Sequence, residues 1–225
     1  MESSVVDMTI WELSRETFDI MGVSLKVSIT ATVLATLVGV PAGFFLAVRD
    51  FRGKHTIVSI MNTLMAIPTV VVGLLVYMSL SRSGPLGFMG ILYTPAAMVV
   101  GQIILAFPII TALAYAAVSA VDERVRTTAE SLGASAAQSA WMVLKEGRLG
   151  MIAAVVAGFG RVIAEVGSAI MVGGNIKGYT RTMTTAIALE TSKGNFALGI
   201  TLGMILLVVA LTINLTVNAF LGRKA

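Results

Sequence analysis

Residues able to do chemistry gather in one stretch, GGNIKGYTRTMTTAIALETSKGN, at 173–195. Lys177 and Arg181 stand four apart, with Thr180, Thr182, Thr184 and Thr185 beside them and Asn175 just before. Gly173, Gly174 and Gly178 free the backbone to gather N–H groups. Clustered N–H groups, hydroxyls and a modest positive field suit an oxyanion. A solvated turn carrying positive charge accounts for the same residues equally well on their chemistry alone. A second pair, Arg161 and Glu165, lies in otherwise apolar sequence at i,i+4 spacing. That spacing predicts a shared helix face and an ion pair turned towards protein or an aqueous path.

Nothing points to catalysis. The chain has no cysteine and one histidine, so thiol chemistry, thiolate metal sites and a His-rich cage are excluded. His55 sits in the basic hinge RDFRGKH and reads as a surface residue. There is no GxxxxGK[ST] phosphate loop and no His-Glu-x-x-His. The chain is therefore expected to bind no cofactor and no metal, and nothing in it addresses nucleic acid.

The elements that must position these residues are apolar helices. Of 225 residues 56% are hydrophobic and 12% charged, about half the charge of an average soluble domain. Charge-free runs extend over Val27–Val48, Thr56–Ser81, Ser83–Val121 and Gly194–Gly222. Crossing about 30 Å of hydrocarbon takes roughly 20 apolar residues. The third run opens with the Gly- and Pro-rich SGPLGFMGILYTP, a loop or short interfacial piece, before its span. With the stretch that holds Arg161 and Glu165, five spans are expected, at about 24–48, 56–80, 95–118, 150–172 and 196–220. The expected fold is an all-α integral membrane protein of five transmembrane helices, with a transmembrane domain at 20–222. The first run is too long, and lacks the basic leader, for a cleavable signal. Residues 1–19, with Trp11 and Phe18, read as an acidic amphipathic surface helix or a frayed tail.

Pro41, Pro68 and Pro108 fall inside spans and permit kinks. Gly39 with Gly43, and Gly199 with Gly203, form small-xxx-small pairs that allow close helix approach. Five spans put the termini on opposite sides. One side holds Arg49, Arg52, Lys54, Arg124, Arg126, Lys145, Arg148, Arg223 and Lys224; the other holds Arg15, Lys26, Arg82, Lys177, Arg181 and Lys193. The richer side is expected to be cytoplasmic. That places residues 1–19 and the Gly/Thr-rich segment outside, and the loop 119–149 and tail 223–225 inside.

The loop at 119–149 is too long for a tight turn. Val125, Ala129, Leu132 and Ala136 recur with helical period, Gly133 interrupts them, and Trp141, Val143 and Leu144 form a second apolar patch. Two short helices bent at Gly133 are predicted, either a lone surface hairpin or a docking element for a cytoplasmic partner.

This loop resembles the coupling loop of ATP-binding cassette importer permeases, whose pattern is Glu-Ala-Ala, three residues, Gly, then a hydrophobic stretch ending Leu-Pro. Gly133 matches the family glycine. The Glu-Ala-Ala falls on Thr127, Thr128 and Ala129, so only the last alanine is kept, and no proline stands near Glu146. The stretch FGRVIAEVGSAIMVGGNIKGYTRTMTTAIALETSKGNFALGI is similar to permease subunits of the molybdate and tungstate branch. Gly167, Gly174, Asn175, Ile176, Gly178 and Thr182 match the molybdate version. Glu165-Val166-Gly167, Val172-Gly173-Gly174-Asn175, Thr180-Arg181 and Thr184-Thr185-Ala186 look like the tungstate version. The resemblance implies an ATP-driven importer in a prokaryotic inner membrane, with this chain as the translocation path for tungstate and molybdate or sulfate as alternatives. A membrane structural or sensory subunit is the rival from another class. It implies a second copy of the chain, an external oxyanion-binding protein, and two cytoplasmic ATPase subunits that carry ATP and Mg. It also implies a path or gate at Gly173, Gly174, Asn175, Lys177, Thr180, Arg181, Thr184 and Thr185. ATPase coupling falls on Ala129, Leu132, Gly133, Ala134 and Trp141.

Overall fold

The computed structural model of the chain describes residues 10–222. Residues 1–9, the side chain of Trp11 and the tail 223–225 lie outside the described residues, so the expectations that fell on them are not addressed by it. Among the described residues every regular element is helical: α1 Ile10–Val48, α2 Lys54–Met65, α3 Thr69–Leu80, α4 Pro95–Ser119, α5 Glu123–Ser131, α6 Ala136–Glu146, α7 Arg148–Ile163, α8 Gly167–Gly173, α9 Met183–Ser192 and α10 Phe196–Gly222, with one 3₁₀ turn at Gly87–Met89.

Three of these helices are long and apolar enough to cross a membrane alone: Arg15–Val48 within α1, α4, and Phe196–Thr216 within α10. The pairs α2 with α3 and α7 with α8 reach the same standard only together, giving up to five spans. The chain is thus an all-α, multi-span membrane protein. The second and fourth spans are not the single helices expected from their apolar length. Ala66–Pro68 interrupts the second, because proline disfavours helix in the residue before it and supplies no N–H. Ala164–Val166 interrupts the fourth, where the carboxylate of Glu165 accepts the Ser168 N–H at 2.9 Å and so starts α8 anew. Arg161 and Glu165 therefore do not share a continuous helix face: α7 has ended at Ile163.

Local sequence explains most other boundaries. Pro95 opens α4 in the first-turn position proline tolerates, with Thr94 Oγ1 accepting the Ala97 N–H at 3.4 Å. Asp122 caps α5, Ser135 and Gln138 form a capping box on α6, and Thr182 and Thr185 form one on α9.

The described chain divides into two compact units. The first holds the residues up to Ile29, Thr69–Gly101 and Ile163–Ile213. Its cores are Ile20, Met183, Ala186 and Leu202, and separately Val27, Met98 and Ala169. Here α3 lies on α8 so closely that a Cβ on Gly73 would come 2.8 Å from the Ser168 Cα. The second unit holds Thr30–Pro68, Gln102–Val162 and the residues from Asn214. Its core is Ala114, Val118, Met151 and Ala154, with Val40, Phe44, Val143 and Leu144 packed against it. Gly39 and Gly43 do serve close approach, onto α4. Of the other glycine pair only Gly199 meets a neighbour, Thr191 Oγ1, while Gly203 faces open space. Most of α10 is uncovered, including Leu207 and Val208. In a membrane protein such a face meets lipid or another subunit rather than water.

Candidate functional site

The Gly/Thr-rich segment lies wholly in the first unit and is folded tightly on itself. α8 ends in Gly174 at φ 71°, and Asn175 follows at φ 50°, so two successive left-handed residues reverse the chain. The Thr180 hydroxyl then pins the loop. It donates to Gly173 O at 2.6 Å and accepts the Ile176 N–H at 2.9 Å. The N–H groups of Tyr179, Thr180 and Arg181 all turn onto Ile176 O at 3.0–3.1 Å. Four N–H groups, of Ile176, Tyr179, Thr180 and Arg181, are thus taken up within the loop.

The threonines after it are internal as well. Thr185 Oγ1 accepts the Thr182 N–H at 2.9 Å and donates to Asn175 Oδ1 at 2.9 Å. Asn175 Nδ2 returns a bond to Thr185 O at 3.4 Å. Thr184 Oγ1 donates to Glu165 O at 2.7 Å, which ties α9 to the break before α8. Thr180 and Thr185 have no exposed surface, and Thr184 keeps 6%. Helix α1 completes the support: Ser24 Oγ accepts the Met183 N–H at 2.7 Å while donating to Ile20 O at 2.9 Å.

The two cations meet a residue that sequence reasoning placed in an acidic tail. Glu16 accepts from Lys177 Nζ at 2.8 Å and from Arg181 NH1 at 3.4 Å. Glu190, nearer in sequence to Arg181, is not its partner. Glu190 instead takes Lys193 Nζ at 2.7 Å and the Asn195 amide at 3.4 Å. Together these charges line a cavity of about 330 Å³ with Ile20, Leu198 and Leu202. No local signal identified Glu16, because its partners lie 161 and 165 residues away. The loop turns Gly174, Ile176, Lys177, Gly178 and Tyr179 outward and keeps Gly173 buried. The structure therefore brings Gly173, Gly174, Asn175, Lys177, Thr180, Arg181, Thr184 and Thr185 together around one loop, with Lys177 outside, Arg181 largely buried and the hydroxyls inside.

The α5–α6 loop belongs to the second unit and is built the opposite way. α5 ends in a Schellman arrangement: Ala134 N–H reaches Ala129 O at 3.0 Å and Gly133 N–H reaches Glu130 O at 3.0 Å. Gly133 sits at φ 87°, where a β-carbon is strained. Ser135 then accepts the Gln138 N–H at 3.4 Å while Gln138 Oε1 accepts the Ser135 N–H at 2.8 Å. With its caps satisfied, the hairpin leaves Leu132 83% and Trp141 64% exposed, with Met142 beside them. Ala129 is buried against the hairpin's inside and Ala134 is half-buried. Arg126 and Glu130, 2.9 Å apart, hold the Arg126 guanidinium protonated even more firmly than usual.

Among the described residues no three potential ligands gather for a metal ion.

Comparison with known proteins agrees with this layout. The family described as "Binding-protein-dependent transport system inner membrane component" matches residues 39–223. A "Probable anion ABC transporter permease protein" of Haloferax volcanii is 44% identical over 189 residues, covering 82% of each chain. The "Tungstate uptake system permease protein TupB" of Peptoclostridium acidaminophilum is 40% identical, over 84% of this chain and 82% of its own. The "Molybdenum transport system permease protein ModB" of Azotobacter vinelandii is 28% identical, over 83% and 88%. Among solved structures, the inward-facing MetNI methionine ABC transporter superposes with a TM-score of 0.76 at 17% identity, over 96% of this chain and 97% of that one. At that identity the likeness speaks for the fold.

Proposed function

We propose, from the premise that the chain belongs to the binding-protein-dependent transport system inner membrane component family, that it forms the translocation path for a tetrahedral metal oxyanion. Within that family its relatives fall in the molybdate and tungstate branch of ATP-binding cassette importer permeases. Tungstate is the first reading, because two tungstate permeases are 40% and 43% identical to it. Molybdate is the second, because the molybdenum permeases are 26–32% identical over comparable lengths. Both are dianions of like shape, and an external binding protein supplies most of the choice between them.

The observation that carries the reading is the α5–α6 hairpin. A chain with no ATPase site holds out two large apolar side chains, Leu132 and Trp141, on a fully capped and therefore stiff knob. Such a knob fits a cleft in a partner that does hydrolyse ATP, and stiffness lets it transmit a displacement. The assembly is two copies of this chain, two ATPase subunits and one binding protein. The basic bias places the hairpin in the cytoplasm and the Gly/Thr-rich loop outside. In that loop the buried threonines hold the shape, and Lys177, Gly174 and Gly178 face the anion. Weak, exposed contacts suit a path that must also release its ion.

The test is reconstitution of the permease with its ATPase in liposomes and saturation with the binding protein. Uptake and ATP hydrolysis are then followed with tungstate, molybdate and sulfate in turn. Tungstate-stimulated hydrolysis coupled to uptake is expected. Stimulation by sulfate alone would remove the metal-oxyanion reading.

A further inference from the structure

In the second unit α1 and α4 meet through small residues. A Cβ on Gly39 would lie 3.1 Å from Ile110 Cγ2 and 3.2 Å from Thr111 Oγ1; one on Gly43 would lie 2.6 Å from Thr111 O and 2.9 Å from Tyr115 N. The contact advances by about one turn on both helices, so they run parallel. Stepping back from Gly39 along its face reaches Thr36 and then Thr32. Stepping back two turns from Ile110 reaches Gln102, at the level of Thr32.

This seam carries a cluster of polar atoms with nothing to bond. Thr32 Oγ1, Thr36 Oγ1, Gln102 Oε1 and Thr111 Oγ1 are all buried without a hydrogen-bond partner. Thr32, Gln102 and Thr111 retain only 5%, 2% and 1% of their surface. Helical hydroxyls elsewhere behave differently. Ser24, Thr63, Ser79 and Thr201 each donate to the carbonyl four residues earlier, at 2.7–2.9 Å. The seam hydroxyls decline that local bond and point into the interior.

We propose that the α1–α4 seam is a binding site for a small file of ordered water molecules within each protomer. A buried water needs two to four polar partners, and the four unpartnered side chains supply them. Leaving the same groups dry would strand several donors and acceptors in apolar surroundings. Water fits better than an ion because neither Val27–Val48 nor Ser83–Val121 contains a charge to balance one. The file gives the two helices exchangeable hydrogen bonds along the seam, beside the glycines where they approach most closely. The inference does not depend on which anion is transported.

The sign of one substitution separates a wet seam from a dry one. In the full-length permease in lipid nanodiscs, Thr111→Val keeps the shape and removes the hydroxyl. If water is bound, it loses a partner and the thermal midpoint falls by about 2–4 °C. If the seam is dry, the same change removes an unsatisfied group and the midpoint stays or rises, which overturns the proposal. Radiolytic hydroxyl labelling with mass spectrometry gives a second readout on the unmodified protein. Bound water should label the buried Leu105 and Ile110 side chains, with at least a threefold drop in the Thr111→Val, Gln102→Leu double variant. No labelling of those residues in the wild-type chain overturns the proposal even where the variants fail to fold. A midpoint that rises with sodium but not with potassium would also overturn it, in favour of a cation.

Discussion

The two loops that carry the functional reading spend their polar groups in opposite ways. The 173–185 loop turns its hydroxyls inward: Thr180, Thr182, Thr184 and Thr185 bond to one another, to Asn175 and to the backbone. The α5–α6 hairpin caps its helix ends with polar groups, pairs Arg126 with Glu130 on its surface, and leaves Leu132 and Trp141 outside. The first loop is completed by its own chain, including Ser24 and Glu16 from α1. The second leaves its large apolar side chains uncovered. A polar loop is therefore not by itself a binding surface, and an exposed apolar knob on a stiff support is the stronger sign of a partner.

Substitutions can break this contrast, and the largest effect belongs to the self-contained loop. Thr180→Val strands Gly173 O and the Ile176 N–H, and should cost about 2–4 kcal/mol of stability at about 1–3 kcal/mol per buried group. Thermal unfolding in nanodiscs measures it. A cost below 0.5 kcal/mol would show that the hydroxyl does not pin the loop.

The hairpin should respond in the reverse manner. Trp141→Ala should leave the unfolding midpoint nearly unchanged. As an interface anchor it should weaken recovery of the ATPase subunit by about 30-fold, equivalent to about 2 kcal/mol. Gly133→Val strains the φ 87° position by about 1–2 kcal/mol and should misdirect α6. Full recovery and normal coupled ATPase activity for both variants would end the docking assignment.

Glu165 sharpens the comparison, because here a charged residue has a local structural use. Glu165→Ala removes the carboxylate that accepts the Ser168 N–H and should cost about 1 kcal/mol through the lost cap. Glu165→Gln keeps an acceptor oxygen and should recover part of that cost. Equal losses in stability for the two changes would point to the charge rather than the cap.

The smallest stability effect is expected at Glu16. Its pairs with Lys177 and Arg181 are partly exposed, so Glu16→Gln should cost no more than about 1 kcal/mol. Its effect on uptake should exceed its effect on stability, since it frees Lys177 from a resident carboxylate. The Glu16→Lys, Lys177→Glu exchange should return uptake towards wild type. An exchange no better than either single change would show that the pair does not set the loop.

Apolar run length made the all-α, multi-span character legible, because the hydrocarbon thickness allows few ways to place charge-free runs of 22 to 39 residues. The α5–α6 hairpin was legible for a related reason. Its bend, caps and period are local, and each is written within a few residues of Gly133, Ser135 and Gln138. Sequence also identified the Gly/Thr-rich stretch as special, but could not tell an inward hydroxyl from an outward one. Composition is the same in both cases. Only the tertiary structure decided that Thr180 faces Gly173 O, that Glu165 starts a new helix, and that Lys177 and Arg181 share Glu16. The break at Pro68 falls where the proline rule marks a kink, whereas the one at Glu165 was hidden because apolar length counts residues without recording where the helix ladder is interrupted. The Glu16 and Ser24 contacts were hidden because their partners are 159–165 residues away, and no spacing rule reaches across that separation. Packing α1 beside the loop is what brings those groups within bonding distance.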